Sequence, residues 1–147
     1  MTYGVVVVFL NHEKRLKTSI LREILSVHDD MQLCLVNNGS HDQTLEKLNQ
    51  FKFENRERAN VLDMKKTKNH KTAFKAGIRF FTNTFNLIRI GYIAFEDIEN
   101  FSLFVHNLQN DFIRDKDLII ERDSETNKYN HGRELLRNTF NLNLFIK

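Results

Sequence analysis

The stretch from Ile90 to Asn100 reads Ile-Gly-Tyr-Ile-Ala-Phe-Glu-Asp-Ile-Glu-Asn, and the rest of the chain is organised around it. Its first six residues are mostly apolar and predict a buried strand, whereas the acidic residues that follow predict a polar sheet edge. Asp97 and Glu99 are two residues apart, so in an extended chain their side chains point the same way and can share one cation. Two interpretations stay open: a metal site, or a polar strand end in solvent.

Apolar runs alternate with helical patterns on both sides of this stretch. The predicted strands are Val5–Leu10, Met31–Val36, Ala59–Met64, Ile90–Phe95 and Asp117–Glu121. The predicted helices are Lys14–Val27, Gln43–Phe51, Thr72–Phe81 and Phe101–Gln109, and the amphipathic segment Glu134–Phe145 is expected to be a further helix. Such alternation is typical of a mostly parallel sheet with helices on both faces. We therefore expect one three-layer α/β domain over residues 1–147.

Composition sets wide limits on function. The 147 residues suit one domain, and a net charge of +3 permits an anionic ligand without selecting one. Cys34 is the single cysteine, which excludes an intrachain disulfide. The N-terminus lacks a secretory pattern, and no apolar run approaches the ~20 residues of a membrane helix. These features predict a cytoplasmic location, with attachment at the inner face of a membrane left open.

Several common nucleotide and hydrolase motifs are missing. The five glycines form neither Gly-x-Gly-x-x-Gly, nor a Walker-type phosphate loop, nor a Gly-x-Ser-x-Gly elbow. A bound phosphate must then be held by a metal, by Lys and Arg, or by helix N-termini. The basic loop from Lys65 to Lys71 is one candidate, and a solvated loop is the alternative. It has no interleaved aromatic residues, so nucleic acid is not expected as a partner.

Polar turns follow three of the predicted strands directly, at Asn11–Glu13, Asn37–Asp42 and Glu96–Asn100. Ligands of open α/β sheets bind at the carboxyl ends of the strands. If these strands are parallel, all three turns lie along one rim of the sheet. The pattern therefore predicts that this rim carries the functional site.

Taken together, these stretches resemble the sequence motifs of family 2 glycosyltransferases. Val36–Thr44 is similar to the Val-Asp-Asp/Asn-Gly-Ser-x-Asp-x-Thr signature, and Tyr92–Asn100 is similar to Tyr-Ile-x-Phe-x-Asp-x-Asp. The other similar stretches are Val5–Glu13, Ala73–Gly77 and Asp117–Arg122. Arg133–Phe145 resembles the region before the acceptor site of polyprenyl-phosphate glycosyltransferases. The resemblance implies a Rossmann-like fold of the nucleotide-diphospho-sugar transferase type.

The resemblance also implies a donor site and a metal. By position, the residues expected to bind the nucleotide-sugar are Phe9, Leu10, Asn11, Glu13, Asn37, Gly39, Lys71 and Asp97. Asp97 and Glu99 are the expected ligands of Mn²⁺ or Mg²⁺, which would neutralise the departing diphosphate. The implied reaction is sugar transfer with inversion to an acceptor that is either a lipid phosphate or a saccharide.

The departures from the family pattern bear on activity. Asn37 and Glu99 stand where the family usually has Asp, and Lys75 replaces a usual Asn. The sequence ends at Lys147, before the acceptor half that carries the usual catalytic base, so no catalytic base is assigned. We therefore expect either an inverting glycosyltransferase, or its donor-binding half, or an inactive nucleotide-sugar-binding relative. A non-enzymatic α/β interaction module is the remaining alternative.

Overall fold

The computed structural model describes residues 2–113 and 139–145, which form a three-layer α/β fold around one parallel sheet. The strands are β1 (Tyr3–Phe9), β2 (Met31–Asn38), β3 (Ala59–Met64), β4 (Arg89–Ala94) and β5 (Thr139–Asn141). The helices are α1 (Thr18–Ser26), α2 (Thr44–Glu54), α3 (His70–Thr84) and α4 (Phe101–Asn107). Short 3₁₀ turns span Phe95–Asp97 and Leu142–Phe145, and a π-helix spans Leu108–Ile113. The predicted α/β class is confirmed.

The strands lie in the order β3-β2-β1-β4-β5, and every neighbouring pair is parallel. Strand β1 is central because its run of apolar residues can be buried on both faces. Val5, Val7 and Phe9 pack with residues of α1, α2 and α4 on one face. Val6 and Val8 pack with α3 on the other face. The single helix α3 therefore forms one outer layer of the described fold.

Helix α3 packs very close to the sheet because a glycine faces β1. A Cβ atom at Gly77 would lie 2.4 Å from Cγ1 of Val6 and 3.3 Å from Cγ2 of Val36. Ala73, one turn earlier, is also fully buried against this face. Small residues at these two positions therefore set the distance between helix and sheet.

The structure corrects one predicted element and leaves another untested. The final segment, expected to be helical, instead contains strand β5 and a 3₁₀ turn. Phe140 and Leu142 are both buried, and the Leu142 side chain occupies the space beside Gly91 that a Cβ would fill. Pairing with β4 thus overrides the helical spacing of the apolar residues. The predicted strand Asp117–Glu121 lies outside the described residues.

Element boundaries differ more modestly from expectation. Helix α1 begins at Thr18 rather than Lys14, because the backbone amides of Arg15 and Leu16 turn back onto the carbonyl of His12. Strand β4 ends at Ala94, and Phe95 already belongs to the 3₁₀ turn. Across residues 2–113 and 139–145, no helix has the length and apolar character that crossing a bilayer requires.

Candidate functional site

The polar turns predicted from sequence lie along one edge of the sheet. Strands β1, β2 and β4 are parallel neighbours, so their carboxyl ends share that edge. The chain moves outward from β1 to β2 and β3, then crosses back to place β4 on the other side of β1. The gap between the β1 and β4 tips is thus a topological switch point, where open α/β sheets bind ligands. The predicted convergence of the three turns is confirmed.

Hydrogen bonds fasten the β1 turn to the β2 turn. The Asn11 amide donates to Oγ of Ser40 at 3.0 Å, and the His41 amide donates to Oδ1 of Asn11 at 2.8 Å. Asn11 has φ of 58°, a left-handed conformation that Asn tolerates better than most residues. Its side chain therefore holds the turn in shape, whatever else it contacts.

Asp42 is the main acceptor between these two turns. Its Oδ2 accepts from the Glu13 amide at 3.1 Å, and its Oδ1 accepts from the amide and hydroxyl of Thr44 at 3.0 and 2.5 Å. Partial burial raises the pKa of Asp42, but these hydrogen bonds outweigh it and hold the pKa below its ordinary value. The charged form of Asp42 is thus the form that these hydrogen bonds stabilise.

Aromatic contacts join the β1 turn to the β4 turn. The rings of Phe9 and Phe95 lie 4.9 Å apart, and the ring of His12 lies 5.0 Å from Phe95. The Arg15 guanidinium lies over Phe95 at 5.3 Å and donates to the carbonyl of Ile98. Burial lowers the pKa of His12, although the nearby Glu96 carboxylate opposes this shift. The switch point is therefore lined by packed aromatic side chains.

The basic loop is anchored to the same rim. The Asn38 side chain donates to the Lys68 carbonyl at 2.8 Å and accepts from the Lys68 amide at 2.9 Å. At the start of α3, the imidazole of His70 lies 2.8 Å from the Glu96 carboxylate. Asn69 caps α3 by accepting from the Thr72 amide, with φ of −68°, so this position needs no left-handed backbone. The loop therefore borders the switch point.

The residues expected to bind the nucleotide-sugar occupy different surroundings. Phe9 is buried, Leu10 and Glu13 are partly buried, and Lys71 is exposed in the first turn of α3. Gly39 is buried with φ of 73°, and a Cβ there would lie 2.5 Å from the backbone nitrogen of Thr67. The packing of Gly39 against the basic loop is thus a structural reason for glycine at this position.

Asn37 is the most informative of the expected donor-site residues. It is 2% exposed, and its Nδ2 donates to Oδ1 of Asp63 at 3.0 Å. Its Oδ1 is buried and finds no hydrogen-bond partner within the described ranges. An unpaired buried acceptor is costly, which makes Asn37 the expected donor-site residue whose hydrogen bonding is least complete among the described residues.

The two expected metal ligands flank a buried residue. Asp97 ends the 3₁₀ turn, is partly buried, and lies with Oδ2 3.4 Å from Nδ2 of Asn143. Glu99 is exposed, and between them Ile98 is extended and fully buried. In the part of the chain that the structure describes, no three His, Cys, Asp or Glu residues are placed to hold a metal. Mg²⁺ is commonly held by one or two carboxylates together with substrate phosphates.

Some residues that shape the rim were not among the expected binding or metal-ligating residues. Ser40, Asp42 and Thr44 all belong to the Gly-Ser-x-Asp-x-Thr turn, and their polar side chains were a usable signal. Asp63 and Asn143 carry no such signal, because Asp63 reaches the rim through the pairing of β3 with β2, and Asn143 lies in the 3₁₀ turn after β5.

Comparison with known proteins identifies the family. Residues 4–97, well over half of the chain, match the model described as "Glycosyl transferase family 2". The chain belongs to glycosyl transferase family 2. No curated protein sequence matches the chain.

Solved structures resemble this family 2 chain in fold. The crystal structure of S. aureus TarS gives a TM-score of 0.50 at 17% identity, covering 64% of this chain and 16% of that one. The crystal structure of S. aureus TarS 1-349 gives 0.49 at 17% identity, covering 64% of this chain and 27% of that one. The family 2 chain described here thus matches only about a quarter or less of the length of these structures.

Proposed function

We propose that this family 2 chain binds a nucleotide-diphospho-sugar at the β1/β4 switch point and acts in sugar transfer with inversion. The observation that carries the proposal is the unpaired, buried Oδ1 of Asn37 at the rim where the β1, β2 and β4 turns meet. Residues 1–147 form the donor-binding domain in this proposal.

The base of the nucleotide is the group assigned to Asn37. An N–H donor on the base edge would satisfy the free Oδ1, while Nδ2 stays bonded to Asp63. A neutral amide makes a weaker hydrogen bond than the carboxylate usual in the family. The binding energy must therefore come largely from the other end of the donor.

Positive charge is available for the diphosphate at the β3–α3 loop. Lys71 lies in the first turn of α3, and the helix N-terminus adds exposed amides and a favourable dipole. The Asn38 contacts hold this loop in place before any ligand arrives. An ordered cationic loop loses less entropy on binding than a mobile one.

Asp97 and Glu99 are the proposed carboxylates for Mn²⁺ or Mg²⁺. The ion, when bound with the donor, would neutralise charge on the diphosphate leaving group. With two carboxylates proposed from the described residues, the ion needs phosphate oxygens to complete its coordination. Metal binding should thus depend on the nucleotide.

The transfer step follows from the family's chemistry. An acceptor oxygen attacks the anomeric carbon from the face opposite the diphosphate, the carbon–oxygen bond to diphosphate breaks, and inversion results. The resemblance of Arg133–Phe145 to polyprenyl-phosphate glycosyltransferases supports a lipid-phosphate acceptor, and a saccharide is the other acceptor class. We assign no catalytic base to the described residues.

Thermal unfolding of the full chain tests donor binding. Binding raises stability by RT ln(1 + [L]/Kd), about 2.7 kcal/mol at a hundredfold excess over Kd. We expect nucleoside diphosphates to raise the melting temperature with Mn²⁺ present, and Mn²⁺ alone to have little effect. If no nucleoside diphosphate changes the melting temperature, the donor-site proposal is wrong.

Glu99→Ala separates the metal from the fold. Glu99 is exposed, so we expect the variant to fold normally and to lose the Mn²⁺-dependent part of the stabilisation. Glu54→Ala, an exposed acid at the end of α2, is the matched control and should retain the full Mn²⁺ effect. An unfolded Glu99→Ala protein would instead show that Glu99 is structural.

An inactive nucleotide-sugar-binding protein is the second candidate. Asn37, Lys75 and Glu99 all depart from the residues usual in the family, and Asn37 and Glu99 belong to the proposed donor and metal site. Assays for hydrolysis or transfer of sugar-nucleotides distinguish the two candidates once binding is established. Binding without turnover would identify this second candidate.

A further inference from the structure

The charge of this chain is distributed very unevenly. Residues 64–95 contain seven of the 22 Lys and Arg residues and none of the 19 Asp and Glu residues. The remainder of the chain is therefore net acidic, although the whole carries +3. The acid-free segment comprises the end of β3, the basic loop, α3 and β4.

Six of these cations are exposed, and we call them together the α3 basic face. Lys71, Lys75 and Arg79 recur every four residues on α3, so they share one side of the helix. The loop before α3 adds three more cations near the N-terminal end of this helix. The face consists of Lys65, Lys66, Lys68, Lys71, Lys75 and Arg79, all exposed.

The other surface helices do not show this pattern. Helix α1 carries Arg22 beside Glu23, and α2 carries Glu46 and Glu54 among its lysines. Among the described residues, no carboxylate forms a salt bridge with any member of the α3 basic face. A lysine-rich composition alone would not remove every acid from 32 consecutive residues while leaving acids on the neighbouring helices.

From this charge pattern we infer that the α3 basic face docks the protein on a membrane surface that contains anionic phospholipids. Clusters of four to eight Lys and Arg residues are the usual electrostatic signature of such binding, and each contributes about 1 kcal/mol near the surface. Five of the six cations are lysines, which suit diffuse attraction, whereas arginines suit bidentate recognition of single phosphates. None of the described Phe, Tyr or Trp residues near the face is exposed for nucleic acid bases to stack on.

The position of the face has a consequence for the rim. The α3 basic face begins at the loop beside the switch point, where His70 meets Glu96. Docking would therefore bring the rim close to the lipid headgroups. This inference does not need the donor site, since attachment depends only on the exposed cations.

Vesicle co-sedimentation of the full chain is the test. We expect binding to vesicles of phosphatidylglycerol and phosphatidylcholine, little binding to pure phosphatidylcholine, and loss of binding in 0.5 M NaCl because salt screens surface charge. The test variant reverses three charges on the face and the control reverses three elsewhere. The test substitutions are Lys66→Glu, Lys75→Glu and Arg79→Glu, and the control substitutions are Lys17→Glu, Arg22→Glu and Lys52→Glu.

Both triple variants change the net charge equally, so only the location of the change differs. We expect the partition coefficient to fall at least about 100-fold for the test variant and much less for the control. Equal losses in the two variants, or equal binding to neutral vesicles, would overturn the inference. Binding to duplex DNA without vesicle binding would instead indicate a nucleic-acid face and would overturn it too.

Folding and donor binding are measured on the same samples. If the charge-reversal variant fails to fold, the corresponding triple alanine variant and the salt dependence of the unmodified chain decide the question. Nucleotide-dependent stabilisation should persist in a Lys75→Glu/Arg79→Glu variant, because both substitutions lie on α3 beyond the loop and helix start assigned to the diphosphate. The membrane inference and the donor-site proposal can therefore fail separately.

Discussion

Asn37 is bonded to a neighbouring strand through only one end of its side-chain amide. Its Nδ2 donates to Asp63, while its buried Oδ1 has no hydrogen-bond partner among the described residues. The family's usual Asp at this position would place a second carboxylate beside Asp63. The Asn in this chain avoids that repulsion, so residues 37 and 63 are best understood as a pair.

The pair predicts the effect of restoring the family residue. Asn37→Asp should lower the free energy of unfolding at pH 7 by about 1–3 kcal/mol, because the new carboxylate cannot donate a hydrogen bond to Asp63 as the Asn37 amide does. Its folded-state pKa would be raised, so lowering the pH should recover stability. Urea unfolding of the single variant and of the Asn37→Asp/Asp63→Asn double variant measures this. A double variant no more stable than the single one would argue against the pairing.

Asp42 makes the opposite prediction for pH. Since its folded-state pKa is depressed, its stabilisation is present above the ordinary Asp pKa and is lost as the pH falls through the folded value. Asp42→Ala should cost about 2 kcal/mol at neutral pH, the typical loss of hydrogen bonds to a charged group.

Urea unfolding of Asp42→Ala and of the unmodified protein, measured from pH 7 downward, tests this prediction. The unmodified protein and Asp42→Ala should differ less in free energy of unfolding as the pH falls below about 4, the ordinary pKa of Asp. A gap that stays constant across the series would show that the hydrogen bonds, rather than the charge, are what matters.

At the level of elements, α3 depends on close contact with the sheet. Gly77→Ala would place a Cβ 2.4 Å from Cγ1 of Val6, in a region where Ala73 is also fully buried. The gain in helix propensity, about 1 kcal/mol, would be offset by overpacking, which typically costs 1–3 kcal/mol. We expect a lower melting temperature in thermal unfolding.

Lys75→Ala is the matched control for this substitution. Lys75 lies on the exposed side of α3, where alanine meets no steric conflict. Its melting temperature should stay close to that of the unmodified protein. If Gly77→Ala were as stable as this control, α3 would have room to move away from β1.

At the scale of the whole molecule, strand order decides where chemistry can occur. Returning to the far side of β1 after α3 places β4 next to the first strand. Turns that are 85 residues apart in sequence, such as those at Asn11 and Glu96, then border one gap. Among the described helices, the same crossover puts α3 alone on one outer layer, with Lys71, Lys75 and Arg79 exposed.

The alternation of apolar runs and helical patterns was sufficient to predict the parallel three-layer fold, because fully buried strands and amphipathic helices have distinct periods. The turns at Asn11, Asn37 and Glu96 were equally visible, since they follow those strands directly. The late strand β5 could not be predicted in this way, because its apolar residues have a helical spacing and pairing with β4 decides its conformation.

By itself, the sequence determined which residues stand at strand ends, since local periodicity and turn chemistry depend only on near neighbours. Only the tertiary structure decided that Asp63 pairs with Asn37 and that Asn143 approaches Asp97. These contacts arise from strand order and helix placement, which hydrophobic burial of the entire chain selects and no local pattern encodes.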